Sequence, residues 1–67
     1  MTNQEIYLAR AAEAKIDADA ATLANVRDRA LRSEAAWADM AARAGRTDKM
    51  RARLVEEKAA SRVALTA

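Results

Sequence analysis

The chain has 67 residues, a formal net charge of +2 at pH 7, and no Cys, His or Pro. Alanine supplies 20 residues and most of the 52% hydrophobic content, whereas aromatic residues supply only 3%. Alanine is the strongest helix former and Pro the strongest breaker. Without His or Cys, the usual nucleophile–base pairs and zinc sites cannot form. We therefore expect one all-α domain that is not an enzyme and needs no cofactor.

The chain has few large apolar side chains with which to build a core. Proteins below about 70–80 residues usually need disulfides, a metal or oligomerisation to hold their fold. The absence of Cys removes the first of these, and the absence of His disfavours the second. We therefore predict a homo-oligomer, with a dimer favoured.

The distribution of charge bears on location. Six charged residues fall within the first twenty positions, and no uncharged run approaches the 18 or so residues that span a bilayer. A cysteine-free composition agrees with a reducing compartment. The prediction is a soluble cytoplasmic protein with no membrane contact.

The first helix is predicted over about 3–21. Thr2 and Glu5 have the spacing of a capping box, in which each side chain binds the other residue's backbone N–H. One stripe at helical spacing contains Tyr7, Ala11, Ala14, Ala18 and Ala21. A second stripe on another side contains Leu8, Ala12, Ile16 and Leu23. Two stripes on one helix predict contacts with more than one neighbour.

A break is predicted near Thr22 to Asn25, because both of these residues are good N-caps. A second helix then covers about 26–44. Its stripe comprises Val26, Ala30, Ser33, Trp37, Met40 or Ala41, and Ala44. Gly45, the only glycine, follows the last apolar position, where a left-handed residue commonly ends a helix.

A third helix is predicted over about 48–65, capped by Thr47. Its apolar stripe is the weakest in the chain, because Glu57 interrupts it. The segment either docks on the bundle, extends from it, or becomes ordered only on binding a partner protein. The first two helices should form an antiparallel hairpin, and two hairpins would make a four-helix bundle. The alternative is one continuous helix from Val26 to the C-terminal end, against which Gly45 argues.

Few side chains suggest chemistry. Glu13 and Asp17 are four residues apart and could share a hard cation, but a solvated helix face is the favoured interpretation. Ser33 is interpreted as a small packing residue. Trp37 is expected to anchor the hairpin core or to act as an interface hot spot, with Tyr7 packed against it. The predicted interface residues are Tyr7, Leu8, Ile16, Val26, Ala30, Trp37, Met40 and Ala44.

Basic residues concentrate in the second half of the chain. Residues 1–42 hold five bases and seven acids, a net charge of −2, whereas residues 43–67 hold seven bases and three acids, a net charge of +4. A nucleic-acid site in this part would use Arg43, Arg46, Lys49, Arg51 and Arg53. No aromatic residues are interleaved for base stacking, so a solvated helix is favoured over this interpretation.

The pattern over residues 7–44 resembles a diffuse group of short bacterial helical-hairpin proteins of uncharacterised function. The residues that carry the resemblance are Tyr7, Arg10, Ala11 and Glu13, then the segment 25–29, then Ser33 to Trp37 with Met40, Ala41, Arg43 and Ala44. The resemblance implies a helical hairpin without assigned activity, and it transfers no functional residues.

Three functional hypotheses follow. The leading one is a non-enzymatic structural or protein-interaction module that self-associates through Trp37 and the alanine stripes. The alternative is a nucleic-acid- or ribosome-associated protein that uses the basic segment 43–62. The third is an adaptor whose C-terminal helix binds a partner protein and folds on it.

Overall fold

The computed structural model describes residues 1–66, which form two helices and no strand. Helix α1 covers Asn3–Ala20 and helix α2 covers Ala24–Thr66. The prediction of an all-α fold is confirmed. The prediction of three helices is wrong, because the second and third predicted segments are one helix.

Helix α1 begins with the predicted capping box. The Glu5 backbone N–H donates to Thr2 Oγ1 at 3.2 Å, and the Thr2 backbone N–H donates to Glu5 Oε2 at 3.0 Å. Two backbone donors at the helix start are thereby satisfied. At the other end, Ala21 takes an extended conformation, and its carbonyl accepts a 3.1 Å hydrogen bond from Arg27 Nη2. The break falls at residues 21–23, where the sequence placed it, but Asn25 lies inside α2.

The two helices pack as an antiparallel hairpin through a seam of small residues. The buried side chains of this seam are Ala14 and Ala18 of α1 and Ala41 of α2, the last two only 2% exposed. Half-buried neighbours continue it at Gln4, Tyr7, Ala11 and Ala21 on α1, and at Ala30, Glu34, Trp37, Ala44 and Gly45 on α2. The alternating steps of three and four residues are those of a coiled-coil seam. The alanine stripe predicted for α1 therefore faces α2.

Gly45 does not end a helix. Residues 1–66 contain no positive φ angle, and α2 continues through Gly45 and Thr47. A single glycine costs about 1 kcal/mol relative to alanine in a helix interior. That cost is small beside the successive backbone hydrogen bonds that a break would remove, and no Pro enforces one. The expected cap at Thr47 and the separate helix over 48–65 are accordingly corrected to a continuous α2.

The second half of α2 has no partner within the chain. Residues 46–66, here called the arm, are exposed at every position, whereas α1 covers only the first half of α2. The chain measures 66 Å along its longest axis and 17 × 11 Å across. Within residues 1–66, neither helix combines the length and the apolarity that crossing a bilayer requires.

Candidate interaction surfaces

Tyr7 and Trp37 join the two helices. Their ring centroids lie 5.9 Å apart with 28° between the ring planes, an offset stack, and both side chains are half-buried. Such an aromatic pair contributes about 0.5–1.5 kcal/mol beyond the area that it buries. The expected packing of Tyr7 on Trp37 is confirmed, and the indole is engaged inside its own hairpin.

The predicted interface residues fall into two groups. Four contribute to the intramolecular seam: Tyr7, Ala30, Trp37 and Ala44. Four are exposed: Leu8, Ile16, Val26 and Met40. Met40 and Ala41 were interchangeable in the predicted stripe, and the structure buries Ala41 and leaves Met40 at the edge. The second group is therefore more accessible to a partner than the first, which is half-buried.

The larger aliphatic side chains of residues 1–66 point outward. Ile16 is 67% exposed on α1, and Leu54 is 53% exposed on the arm. The other exposed aliphatic residues of the two helices are Ile6, Leu8, Val26, Leu31, Met40, Met50, Val55, Val63 and Leu65. The hairpin thus buries three alanines and presents its larger aliphatic side chains to solvent.

Two adjoining grooves lie along one side of α2. The first, of about 340 Å³, lies between the start of α1 and the middle of α2 and is lined by Asn3, Tyr7, Met40, Arg43, Ala44, Thr47, Asp48 and Arg51. The second, of about 580 Å³, follows the arm and is lined by Arg51, Leu54, Val55, Glu57, Lys58 and Ser61. Arg51 borders both grooves, so one surface runs from the hairpin onto the arm.

The predicted basic residues do not share one face. Arg43 Nη2 lies 3.0 Å from Asp39 Oδ2 on its own helix. Arg51 borders the grooves described above, whereas Arg46, Lys49 and Arg53 line a separate depression with Met50. A ligand on one side of the arm would meet three of the five cations.

The acidic pair on α1 is engaged by a cation of the chain. Arg10 Nη1 donates to Glu13 Oε2 at 3.3 Å, and Asp17 lines a depression with both residues, Ser33 and Trp37. Within the described residues, no group of three or more acidic side chains is placed to hold a metal ion. This depression marks the side of the hairpin on which α1 presents its carboxylates.

Sequence reasoning missed the far end of the seam. A Cβ atom built on Gly45 would lie 2.6 Å from Gln4 Nε2, so Gly45 provides room for the glutamine side chain. Gln4 precedes Tyr7 by three residues, and Glu34 precedes Trp37 by three. Extending the alternating spacing by one step before Tyr7 would have found Gln4. Glu34 lies inside the α2 seam, where the predicted stripe had placed Ser33, and the structure leaves Ser33 exposed.

Comparison with known proteins found no family model that matches the chain, and no match among curated proteins or solved structures. The resemblance to short bacterial hairpin proteins stays a prediction. The proposals below therefore rest on the geometry and charge of the chain itself.

Proposed function

We propose that the protein is a non-enzymatic structural or protein-interaction module that self-associates. One observation carries this proposal: within residues 1–66 the buried side chains are three alanines, while the larger aliphatic side chains are exposed. Extended apolar surface on a soluble helix commonly marks a protein–protein contact. We further propose a bacterial, cytoplasmic setting, with which the cysteine-free composition agrees.

The seam within the chain and the proposed contact between chains use different residues. Trp37, Tyr7 and the alanines hold the hairpin together, so they support the shape of the module. The surface offered to a partner consists of the outward residues of both helices, Met40 and Leu54 among them. Self-association would bury side chains that the hairpin alone leaves in water.

The test is sedimentation equilibrium of the intact chain across the micromolar range, combined with thermal melting followed by circular dichroism. We expect a mass of at least two chains and a melting temperature that rises with protein concentration, because association stabilises the folded form. A monomer whose melting temperature is independent of concentration would overturn the proposal.

A second candidate function is nucleic-acid or ribosome association through the basic segment 43–62. The placement of Arg46, Lys49 and Arg53 in one exposed depression on the arm favours it. Cations spaced along a helix contact phosphates through charge, and such binding weakens steeply with salt. We expect a gel shift with RNA or DNA in low salt that disappears between about 50 and 200 mM salt.

A matched pair of variants locates that binding. Changing Arg46, Lys49 and Arg53 to Gln should abolish the shift. Changing Arg27, Arg29 and Arg32 to Gln removes the same amount of charge from the hairpin, and most of the gel shift should remain. Equal losses in both variants, or no shift with the original chain, would reject a site on the arm.

A further inference from the structure

We infer that the partner is a second copy of this chain that packs antiparallel along α2. The arm of each copy then covers the Met40 side of the other copy's hairpin. This inference rests on the proposed self-association and adds the orientation, the register and the face. The result is a long α2–α2 pair with an α1 helix beside each end.

Four apolar residues of α2 are placed symmetrically about residue 45. Met40 and Met50 each lie five positions from it, and Ala36 and Leu54 each lie nine positions from it. Helical spacing puts all four within about 80° of one another around α2, with Met40 and Met50 at the two edges. Met50 also lines the depression that contains Arg46, Lys49 and Arg53. In an antiparallel pair with its twofold axis at residue 45, Met40 meets the partner's Met50 and Ala36 meets the partner's Leu54. The second pair sets a small side chain against a large one, as interdigitating helices require.

The same surface is continuous across both halves of α2. Met40 and Arg51 line the groove beside α1, and Arg51 and Leu54 line the groove on the arm. A helix that lies in one groove therefore continues into the other without crossing to another face. Leu8, Ile16 and Leu31 lie away from both grooves and stay outside this contact.

Charge favours the antiparallel orientation. Residues 43–67 carry a net charge of +4, whereas residues 24–42 of α2 hold three bases and three acids, so an antiparallel pair keeps the two basic arms apart. A parallel pair would align the two basic arms.

The local charges agree with this register. Glu57 and Ser33 each lie twelve positions from residue 45, so the partner's Glu57 comes level with Ser33, one residue beyond Arg32 and one turn from Arg29. Ser33 shares a depression with Glu13 and Asp17. Lys58, which follows Glu57, comes level with Arg32, one residue from the Ser33 that lines this depression.

Disulfide trapping tests the orientation, because the chain has no cysteine and each introduced thiol is unique. Met40→Cys and Met50→Cys are made separately and mixed in a glutathione buffer. In the antiparallel pair, the mixture forms disulfide dimers, whereas either variant alone does not. When one variant pairs with itself, the two identical thiols lie ten residues apart along the helix pair, a distance of about 15 Å. A disulfide tolerates a Cα separation of only about 7 Å, so none can form.

A second pair of cysteine variants, on the opposite face of α2, tests which surface of the helix forms the contact. Ala38 and Ala52 each lie seven positions from residue 45, so Ala38→Cys and Ala52→Cys have the same register as the methionine pair but the opposite side. This mixture should give no disulfide dimer. Dimers from Met40→Cys alone, or from the alanine pair in place of the methionine pair, would overturn the inference.

A charge substitution on the arm gives an independent measurement. Leu54→Glu should weaken dimerisation by about tenfold or more, whereas Val63→Glu, on another side of the arm, should not. Both residues are exposed in the single chain, so the hairpin fold is retained, as circular dichroism can verify. A dimer that is unaffected by Leu54→Glu and forms no methionine-pair disulfide overturns this geometry while leaving self-association standing. A monomer overturns both proposals.

Discussion

The hairpin and the arm are built from similar alanine-rich helix, yet only the hairpin has tertiary contacts. In the first half of α2, Trp37 stacks on Tyr7 and Ala41 is 2% exposed. In the second half, every residue of the arm is exposed. Local preference extends a helix wherever good helix formers follow one another, whereas burial needs a second element at the right distance. The difference shows that a segment of α2 can form a helix without packing against another element.

The largest expected effect comes from removing the ring that joins α1 to α2. Trp37→Ala should lower the free energy of unfolding by about 3 kcal/mol, because it deletes both the stacked contact and buried apolar area. Urea unfolding followed by circular dichroism, at one protein concentration, measures it. Trp37→Phe keeps a ring against Tyr7 and serves as the control. An unchanged free energy of unfolding in Trp37→Ala would mean that the stack does not hold the hairpin.

A second experiment places the same extra volume in both regions. Ala41→Leu forces a larger side chain into the closed seam and should cost about 1–3 kcal/mol. Ala52→Leu adds the same atoms to the exposed arm and should change stability by at most about 0.5 kcal/mol. Thermal melting of the two variants compares them directly. Equal costs would indicate that the arm is packed as tightly as the hairpin.

Hydrogen exchange measures the contrast without any substitution. In dilute protein, amides of the arm should exchange about tenfold or more faster than those of residues 30–44, since an unpartnered helix opens by local fraying. In concentrated protein, this difference in exchange rate should become smaller if a second copy covers the arm. Strong protection of the arm in the dilute monomer would contradict this expectation.

The smallest expected effect lies at the junction of the two regions. Gly45→Ala should stabilise α2 by about 0.5–1 kcal/mol, because alanine is the better residue in a helix interior. The new methyl group would crowd Gln4 Nε2, 2.6 Å away, but that atom ends a flexible side chain that can turn aside. Adding Gln4→Ala should recover any gain lost to crowding. A marked loss of thermal stability in the double variant would show that α2 needs a glycine at position 45 for a reason other than room for Gln4.

Several local features could be predicted because neighbouring residues decide them. The capping box needs only Thr2 and Glu5 at the right spacing, and both of its hydrogen bonds form. The break before α2 and the contact of Tyr7 with Trp37 were predicted as well. The helix end predicted at Gly45 is wrong, because a preference for glycine after helices does not oblige a glycine to end one.

The choice between Met40 and Ala41 shows where the sequence pattern became insufficient. Both fit the alternating spacing, and hydropathy favours burying the methionine. The structure buries Ala41, because two helices joined by three residues approach closely only where their side chains are small.

The sequence by itself determined that this chain is helical, where α1 begins and that a turn separates two helices. These outcomes depend on propensity and on hydrogen bonds within a few residues. The tertiary structure decided that three alanines form the buried seam and that the larger aliphatic side chains face outward. Those outcomes depend on how closely α1 approaches α2, a distance that no short stretch of sequence specifies.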